Sequence, residues 1–214
     1  MKSWMKVGMF TLAVLAVGLW MVPSGAWAQK EIKIGVIYPL TGGAAAAGRE
    51  LRAGAELAAK IANSAMPDLT MPMAQNQGIK SLGGAKIKLI IKDHQGNPTL
   101  GADLAKKLIL DDKVDGILGC YFSSVTKTVS AVCEQYKVPM INGSSTSPGL
   151  TERGFKWFWL TTPHDRWFTK DLFEFLVGLT EGKVQGVKAV PREEINTLAS
   201  ACEKTEWGSH VSGL

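Results

Sequence analysis

The sequence predicts an α/β fold built on a doubly wound, mostly parallel sheet. Short apolar runs alternate along the chain with longer segments in which apolar residues recur at helical spacing. This alternation is typical of βαβ units, in which right-handed helical crossovers join parallel strands. The chain has 214 residues, 46% of them hydrophobic and 20% charged, which indicates a globular protein and excludes a wholly disordered one.

Five apolar runs are predicted to be strands because they are short, rich in β-branched residues and bounded by turn residues. They are Glu31–Tyr38, Lys86–Lys92, Val114–Gly119, Val138–Asn142 and Lys156–Thr161. A sixth strand at Ile195–Glu203 is a weaker prediction because Asn196, Ser200 and Glu203 interrupt its apolar run.

Four segments are predicted to be helices: Ala45–Asn63, Leu100–Leu110, Ser124–Tyr136 and His164–Leu179. In the first, Leu51, Ala55, Ala58 and Ile61 recur at the spacing of a buried face. In the third, Cys133 falls on the apolar face and is interpreted as a small buried hydrophobe. The stretch from Ser64 to Ala85, rich in Met, Pro, Gln and Gly, is predicted to be a surface excursion.

Residues 1–28 have the pattern of a secretory signal peptide. Lys2 and Lys6 precede an almost wholly apolar run, and Ala26-Trp27-Ala28 fits the small-x-small cleavage rule. Cleavage after Ala28 would place the mature chain in the periplasm. A membrane anchor is the alternative, because the apolar run approaches the roughly 17 residues that span a bilayer.

The charge pattern excludes a nucleic-acid footprint. The net charge is +5, and removing the signal peptide takes away two of 24 Lys+Arg and none of 19 Asp+Glu, which leaves +3. The remaining basic residues are scattered rather than clustered. No CxxC pair or Cys/His cluster occurs among the three Cys and three His residues, so the sequence predicts no metal and no cofactor.

Hydroxyl side chains follow two of the predicted strands. Cys120 to Thr126 (CYFSSVT) follows the third strand, and Gly143 to Pro148 (GSSTSP) follows the fourth. Ligands of open α/β sheets bind beyond the carboxyl ends of the strands. Either Ser123 or Ser124 is predicted to cap the next helix, whose free N–H groups suit a carboxylate. The sequence therefore predicts a small cup for an anion, although helix capping alone could also explain these hydroxyls.

A serine acyl-enzyme is a remote alternative. Ser124-Val125-Thr126-Lys127 fits the S-x-x-K pattern, in which a lysine one helical turn away activates the serine. The companion S-D-N and K-T-G motifs are absent from the sequence, and a four-residue pattern often arises by chance. Binding is therefore preferred to catalysis, and no catalytic residue is predicted.

Several blocks of the sequence resemble the periplasmic branched-chain amino acid-binding proteins, the type I substrate-binding proteins of ABC transporters. The resemblance runs from about residue 31 to residue 179 and resumes at residues 201–209. It rests on the order of IKIGVIYPLTG, GAELAAKIAN, GAKIKLIIKDHQGNP, GILGCYFSSVTKTVSAVCEQYKVPMINGSSTSPGLTERGF and ACEKTEWGS. It implies two α/β lobes joined by a hinge, with the ligand held between them.

The resemblance implies a set of ligand-binding residues. Ser123, with Tyr121 and Phe122 beside it, matches the loop that holds the ligand carboxylate and ammonium in this family. Ser144 and Thr146 match the loop after the fourth strand, and Trp207 matches an aromatic residue of the second lobe.

Three features of the sequence depart from the family or leave alternatives open. An aromatic residue of the family's first loop is replaced by Ala47, which leaves room for a bulkier ligand. A cysteine pair found in some members is replaced by Gly96 and Phe122, so that disulfide is not expected. His164 and Trp167 could line the rim of the cleft or pack at the hinge.

The resemblance also implies a domain organisation and a transport role. Residues 29–162 would form the first ligand-binding lobe, and residues 163–214 the hinge and the start of a second lobe. The chain is expected to be the front part of a longer carrier that delivers an amino acid or related small carboxylate to an ABC transporter permease in the inner membrane. The ligand-sensing extracellular domain of a receptor is the alternative, because the same fold serves both roles.

Overall fold

The computed structural model describes residues 31–195 together with Thr197 and Gly208. Within these residues, the strands form one sheet in the order β2-β1-β3-β4-β5, and every pair in it is parallel. The predicted α/β class with a parallel sheet is therefore confirmed. The strands are β1 (Glu31–Tyr38), β2 (Lys86–Asp93), β3 (Gly116–Gly119), β4 (Met140–Asn142) and β5 (Phe158–Leu160).

The four predicted helices are present, with small shifts at their ends. They are α1 (Ala45–Asn63), α2 (Pro98–Leu110), α3 (Ser123–Tyr136) and α4 (Asp165–Thr180). Helix α2 begins two residues earlier than predicted because the side chain of Asn97 accepts hydrogen bonds from Thr99 N and Leu100 N. Proline at the first helical position, here Pro98, suits such a start.

The predicted cap of α3 is wrong. Phe122 is the residue before the helix, in an extended conformation with φ −77° and ψ 133°, and α3 makes no side-chain cap hydrogen bond. The Phe122 carbonyl oxygen accepts a 2.9 Å hydrogen bond from Thr126 N, so Ser123 and Ser124 are already inside the first turn. Their hydroxyls therefore do not serve as the helix cap.

The strand order turns around at β1, which pairs with β2 on one side and with β3 on the other. The crossovers β1–α1–β2 and β2–α2–β3 run in opposite directions, so right-handed connections place α1 and α2 on opposite faces of the sheet. Helices α2 and α3 pack together over the main core, where Leu108, Val129 and Cys133 are fully buried. Burial raises the pKa of the Cys133 thiol to about 12, consistent with the predicted buried position.

The buried face of helix α1 is rotated from the predicted one and shares Ala55 with it. Its buried residues are Gly48, Ala55, Ala59 and Ala62. The predicted face included Ala58, which is exposed. Gly48 explains the difference: a Cβ at this position would collide with the carbonyl group of Pro39. This close approach to the backbone after β1 sets the rotation of the helix about its axis.

The excursion between α1 and β2 contains two short 3-10 turns, Pro72–Ala74 and Lys80–Leu82, and an antiparallel bridge between Ile79 and Ala85. The weak sixth strand is wrong at its first residue, because Ile195 ends a 3-10 turn. The rest of that strand, apart from Thr197, lies outside the described residues, as do the signal peptide, Cys202 and Trp207. In the described part of the chain, no helix has the length and apolarity needed to cross a membrane.

Candidate functional site

A cleft of about 710 Å³ opens at the carboxyl ends of the strands. It lies where the strand order turns around, the position at which open α/β sheets bind ligands. Loops after four strands contribute to its lining. The lining residues are Thr41, Gly43, Ala44, Ala46, Ala47, Gln95, Gly96, Tyr121, Phe122, Ser123, Ser144, Ser145 and Thr146. None of them carries a charged side chain.

The structure brings the predicted residues of the first lobe together. Tyr121, Phe122 and Ser123 come from the loop after β3, and Ser144 and Thr146 come from the loop after β4. The sequence predicted that these two loops share one edge of the sheet, and the structure agrees. The sixth predicted residue, Trp207, lies outside the described residues.

Ser123 occupies the first position of helix α3 and is 3% exposed. Ser123 lines the cleft, and its hydroxyl makes no hydrogen bond with the described residues. The first N–H groups of an α-helix likewise have no partner within the helix, and they carry a partial positive charge. This end of α3 therefore presents hydrogen-bond donors to the cleft and can bind a negatively charged group.

The chain enters this loop through Gly119, whose φ of 143° is in a region that favours glycine. A Cβ at this position would collide with the carbonyl oxygen of Ile37 on the neighbouring strand. Glycine is therefore required where β3 passes into the Tyr121–Ser123 segment.

Asn142, at the end of β4, joins the two hydroxyl-bearing loops and is fully buried. Its Nδ2 group donates to Gly119 O at 2.7 Å and to Cys120 O at 2.8 Å. Its Oδ1 accepts from the backbone N–H groups of Ser144 at 3.0 Å and Ser145 at 2.8 Å. Sequence reasoning missed this residue, although a polar side chain closing an apolar strand run is a visible signal.

Ser144 and Ser145 are held by carbonyl groups of the loop after β3. The Ser144 hydroxyl donates to Cys120 O at 2.6 Å, and the Ser145 hydroxyl donates to Tyr121 O at 3.0 Å. A carbonyl oxygen can only accept, so the hydroxyl proton of Ser144 is already committed. Towards a ligand, Ser144 is therefore an acceptor, whereas Ser123 is free to donate.

Asp93, the last residue of β2, fixes the far side of the cleft. Its carboxylate accepts hydrogen bonds from Leu40 N at 2.8 Å, Thr41 Oγ1 at 2.6 Å and Gln95 N at 2.9 Å. Burial opposes ionisation of this group, but the hydrogen bonds outweigh it and lower the pKa of Asp93. The ionised carboxylate thus orders two lining residues, Thr41 and Gln95.

The aromatic side of the cleft is a chain of edge-to-face contacts. The ring centroids of Tyr121 and Phe122 are 5.2 Å apart at 77°, and those of Phe122 and His94 are 6.1 Å apart at 70°. A Cβ built on Gly96 would lie 3.3 Å from the Phe122 ring. The two positions that match the family's cysteine pair are therefore neighbours in space.

Four other residues singled out from the sequence do not line the cleft. Ser124 and Lys127, the pair of the acyl-enzyme hypothesis, are not among its lining residues. His164 and Trp167 also lie outside that lining; their rings are 6.0 Å apart, and Trp167 is 52% exposed. By contrast, Ala47 lines the cleft, as the resemblance implies.

The fold and the cleft define a class of protein: an α/β ligand-binding lobe with an anion-compatible site at the turning point of its sheet. The sequence profile of the family described as "Periplasmic binding protein" matches residues 31–190. The chain belongs to this family.

Similar proteins support the predicted resemblance to the branched-chain amino acid-binding proteins. A Leu/Ile/Val-binding protein homolog from Brucella melitensis is 34% identical over 129 residues, 60% of this chain and 31% of the relative. The LivJ substrate-binding protein of Streptococcus pneumoniae, solved with isoleucine, is 27% identical with a TM-score of 0.52, covering 64% of this chain and 35% of that one.

A third similar protein was solved with an aromatic acid. It is the solute-binding protein of an ABC transporter from Rhodopseudomonas palustris, in complex with 3,4-dihydroxybenzoic acid. It is 25% identical, with a TM-score of 0.50, and the match covers 66% of this chain and 36% of that one. The chain thus spans about a third of the length of these three relatives. Their names describe binding proteins rather than enzymes.

Proposed function

We propose that this chain supplies the first ligand-binding lobe of the solute-binding component of an ABC importer. The ligand is an amino acid or a related small carboxylate, captured between two lobes in the periplasm and delivered to a membrane permease. The observation that carries the proposal is Ser123 at the start of α3: the residue is only 3% exposed, yet it lines the cleft and its hydroxyl makes no hydrogen bond with the described residues.

The donors at the start of α3 match the chemistry of a carboxylate. The Ser123 hydroxyl and the first N–H groups of the helix donate to the same region, and the helix dipole favours a negative charge there. Hydrogen bonds to a charged group contribute about 1.5–3 kcal/mol each. Isoleucine and 3,4-dihydroxybenzoate, found in two of the similar structures, both carry a carboxylate.

The remaining lining residues would recognise the rest of the ligand. Ser144 presents an acceptor, which suits an ammonium or a hydroxyl group of the ligand. Tyr121 is 37% exposed and offers a ring face for an apolar group. Ala44, Ala46 and Ala47 line the cleft with side chains that are only methyl groups, which leaves space for a bulky side chain or a ring of the ligand.

In this proposal, residues 29–162 form the first lobe, and residues 163–214 contain the hinge and the start of the second. The resemblance assigns Trp207 to the second lobe, on the other side of the ligand. Ligand that contacts both lobes would shift the population towards a closed form, which the permease would recognise. The mechanism is hinge closure and involves no bond making.

Calorimetric titration of the intact protein with L-isoleucine and with 3,4-dihydroxybenzoate tests the proposal. At least one of these probes should bind, and Ser123→Ala should weaken that binding about tenfold or more, because one hydrogen bond to the carboxylate is lost. Binding of neither probe, or full affinity in Ser123→Ala, would contradict the proposal.

Ser124→Ala is the matched control. It removes the same hydroxyl one residue further along α3, from a side chain that does not line the cleft. Its affinity should stay within about twofold of the unsubstituted protein. The same variant tests the acyl-enzyme alternative, since nitrocefin hydrolysis that disappears in Ser124→Ala would favour catalysis over binding.

A further inference from the structure

His94 lies directly behind the cleft without lining it. Its side chain is fully buried, while the next two residues, Gln95 and Gly96, line the cleft. Its imidazole makes an edge-to-face contact with the ring of Phe122, another lining residue. His94 therefore supports the cleft from behind at two places.

The hydrogen bonds of His94 determine which nitrogen carries the proton. Nδ1 accepts a 2.9 Å hydrogen bond from the backbone N–H of Gly96, so in the neutral ring the proton is on Nε2. Nε2 is buried and has no hydrogen-bond partner among the described residues. A second proton would have to be placed on Nδ1, where it would face the Gly96 N–H and abolish that hydrogen bond.

The turn that His94 holds, Gln95–Gly96, has an unusual backbone conformation. Gln95 and Gly96 both have positive φ values, 53° and 73°. Gln95 is a non-glycine residue in the left-handed region, a conformation that persists only when surrounding contacts maintain it. The bond from Gly96 N to His94 Nδ1 is one such contact, and the bond from Gln95 N to Asp93 is another.

We propose that His94 is a positioning residue of the cleft: its neutral imidazole holds the Gln95–Gly96 turn and Phe122 in place, and its protonation weakens ligand binding. The proposal rests on the proposed function, since it assumes that the cleft is the ligand site. A carrier of this kind would release its ligand more readily in acid than at neutral pH.

The charges around His94 are consistent with this role. Burial lowers the pKa of His94, and the neighbouring Asp93 raises it by a smaller amount, so the imidazole is neutral at pH 7. Helix α2 packs against His94 at Gly101, and its charged residues Asp103, Lys106 and Lys107 are all exposed. The titratable residues on the adjoining strands and their ends are Tyr38 at the end of β1 and Cys120 after β3. Burial raises the pKa of both, so they are neutral as well. Asp93 already accepts three hydrogen bonds and stays fixed on the Thr41 side.

The experiment measures affinity for L-isoleucine and for 3,4-dihydroxybenzoate from about pH 7.5 to about pH 4.5. The series extends below the range in which an unperturbed histidine is protonated, because burial lowers the pKa of His94. Affinity should fall by up to about tenfold per pH unit once His94 protonates. In His94→Asn, the side-chain oxygen can replace Nδ1 as acceptor for Gly96 N–H but does not titrate, so this fall should largely disappear. His164→Asn, which changes a histidine outside the cleft lining, should keep the pH dependence of the unsubstituted protein.

A second measurement needs neither ligand nor variant. In the nuclear magnetic resonance spectrum of the intact protein, the Gly96 amide should shift together with the His94 ring signals as the pH falls. A Gly96 amide that stays fixed while His94 titrates would overturn the proposal, as would an unchanged pH profile in His94→Asn. If neither probe binds at any pH, the proposed function fails, and the Gly96 signal alone decides whether His94 holds the turn.

Discussion

Helices α3 and α4 have similar lengths, 14 and 16 residues, but very different surroundings. Helix α3 buries seven residues, among them Val125, Val129 and Cys133, against the sheet and α2. Asp165 is the single buried residue of α4. Its large apolar side chains are about half exposed, including Phe168 at 50% and Leu172 at 49%.

This difference shows what an apolar pattern does and does not establish. Both helices have apolar residues at helical spacing, and both are formed. Burial requires in addition a facing surface, which the sheet supplies to α3. No surface among the described residues covers α4, so its apolar side chains contribute little to the stability of this part of the chain.

The largest expected effect comes from the same substitution made in each region. Leu108→Ala, in α2, should lower the free energy of unfolding by about 2–5 kcal/mol, because it removes a fully buried side chain and leaves a cavity. Leu172→Ala, in α4, should cost less than about 1 kcal/mol, because the side chain is 49% exposed and alanine favours the helix. Urea unfolding of the 214-residue chain measures both, because α4 is uncovered among the described residues. Equal losses would show that α4 is as well packed as the core.

Much of the fold could be predicted because it depends on local pattern. The bounds of β1 and α1 agree with the predicted ones, since both segments have strong periodicity and clear breakers. The face that α1 buries was predicted only in part, since Ala55 is buried but Ala58 is exposed. That face depends on contact between Gly48 and Pro39, a tertiary contact that the spacing of apolar residues does not contain.

The candidate site was predictable only in part. The loop after β3 and the loop after β4 were expected to meet because carboxyl ends of parallel strands share one sheet edge. The hydrogen bonds of Asn142 and the position of His94 behind Phe122 were not expected. Both depend on contacts between residues that are far apart in the sequence. The acceptor role of Ser144 depends on such a contact as well, because its hydroxyl donates to Cys120 O.

The second prediction concerns alkaline pH and the buried phenol of Tyr38 at the end of β1. Burial raises its pKa from 10.0 to about 12, with a smaller contribution from Cys120. Between these values the unfolded chain binds fewer protons than the folded one, so stability falls as the pH rises. The buried neutral phenol of Tyr38 therefore adds about 2–3 kcal/mol to the free energy of unfolding below pH 10. This contribution is lost as the pH rises to about 12.

Unfolding by urea at a series of alkaline pH values measures this loss. Tyr38→Phe should remove the part of the alkaline stability loss that comes from the phenol. The buried thiols of Cys120 and Cys133 also have raised pKa values, so they still lower the stability as the pH rises. Tyr136→Phe is the control, because Tyr136 is 37% exposed. The same alkaline loss in Tyr38→Phe as in Tyr136→Phe would mean that the Tyr38 phenol is not shielded. Helix α4 contains no tyrosine or cysteine, so the difference between the two variants reports on the phenol of Tyr38 in the packed region.

The smallest effect compares the residues immediately before α2 and α4, Asn97 and His164. Asn97 accepts hydrogen bonds from Thr99 N at 2.9 Å and Leu100 N at 3.1 Å, whereas His164 makes no side-chain cap hydrogen bond. Asn97→Ala should therefore cost about 1 kcal/mol, and His164→Ala about 0.5 kcal/mol or less. Thermal unfolding should give a clearly lower midpoint for the first variant than for the second. A larger loss in His164→Ala would show that the contact between His164 and Trp167 anchors α4 more firmly than the exposure of its apolar side chains indicates.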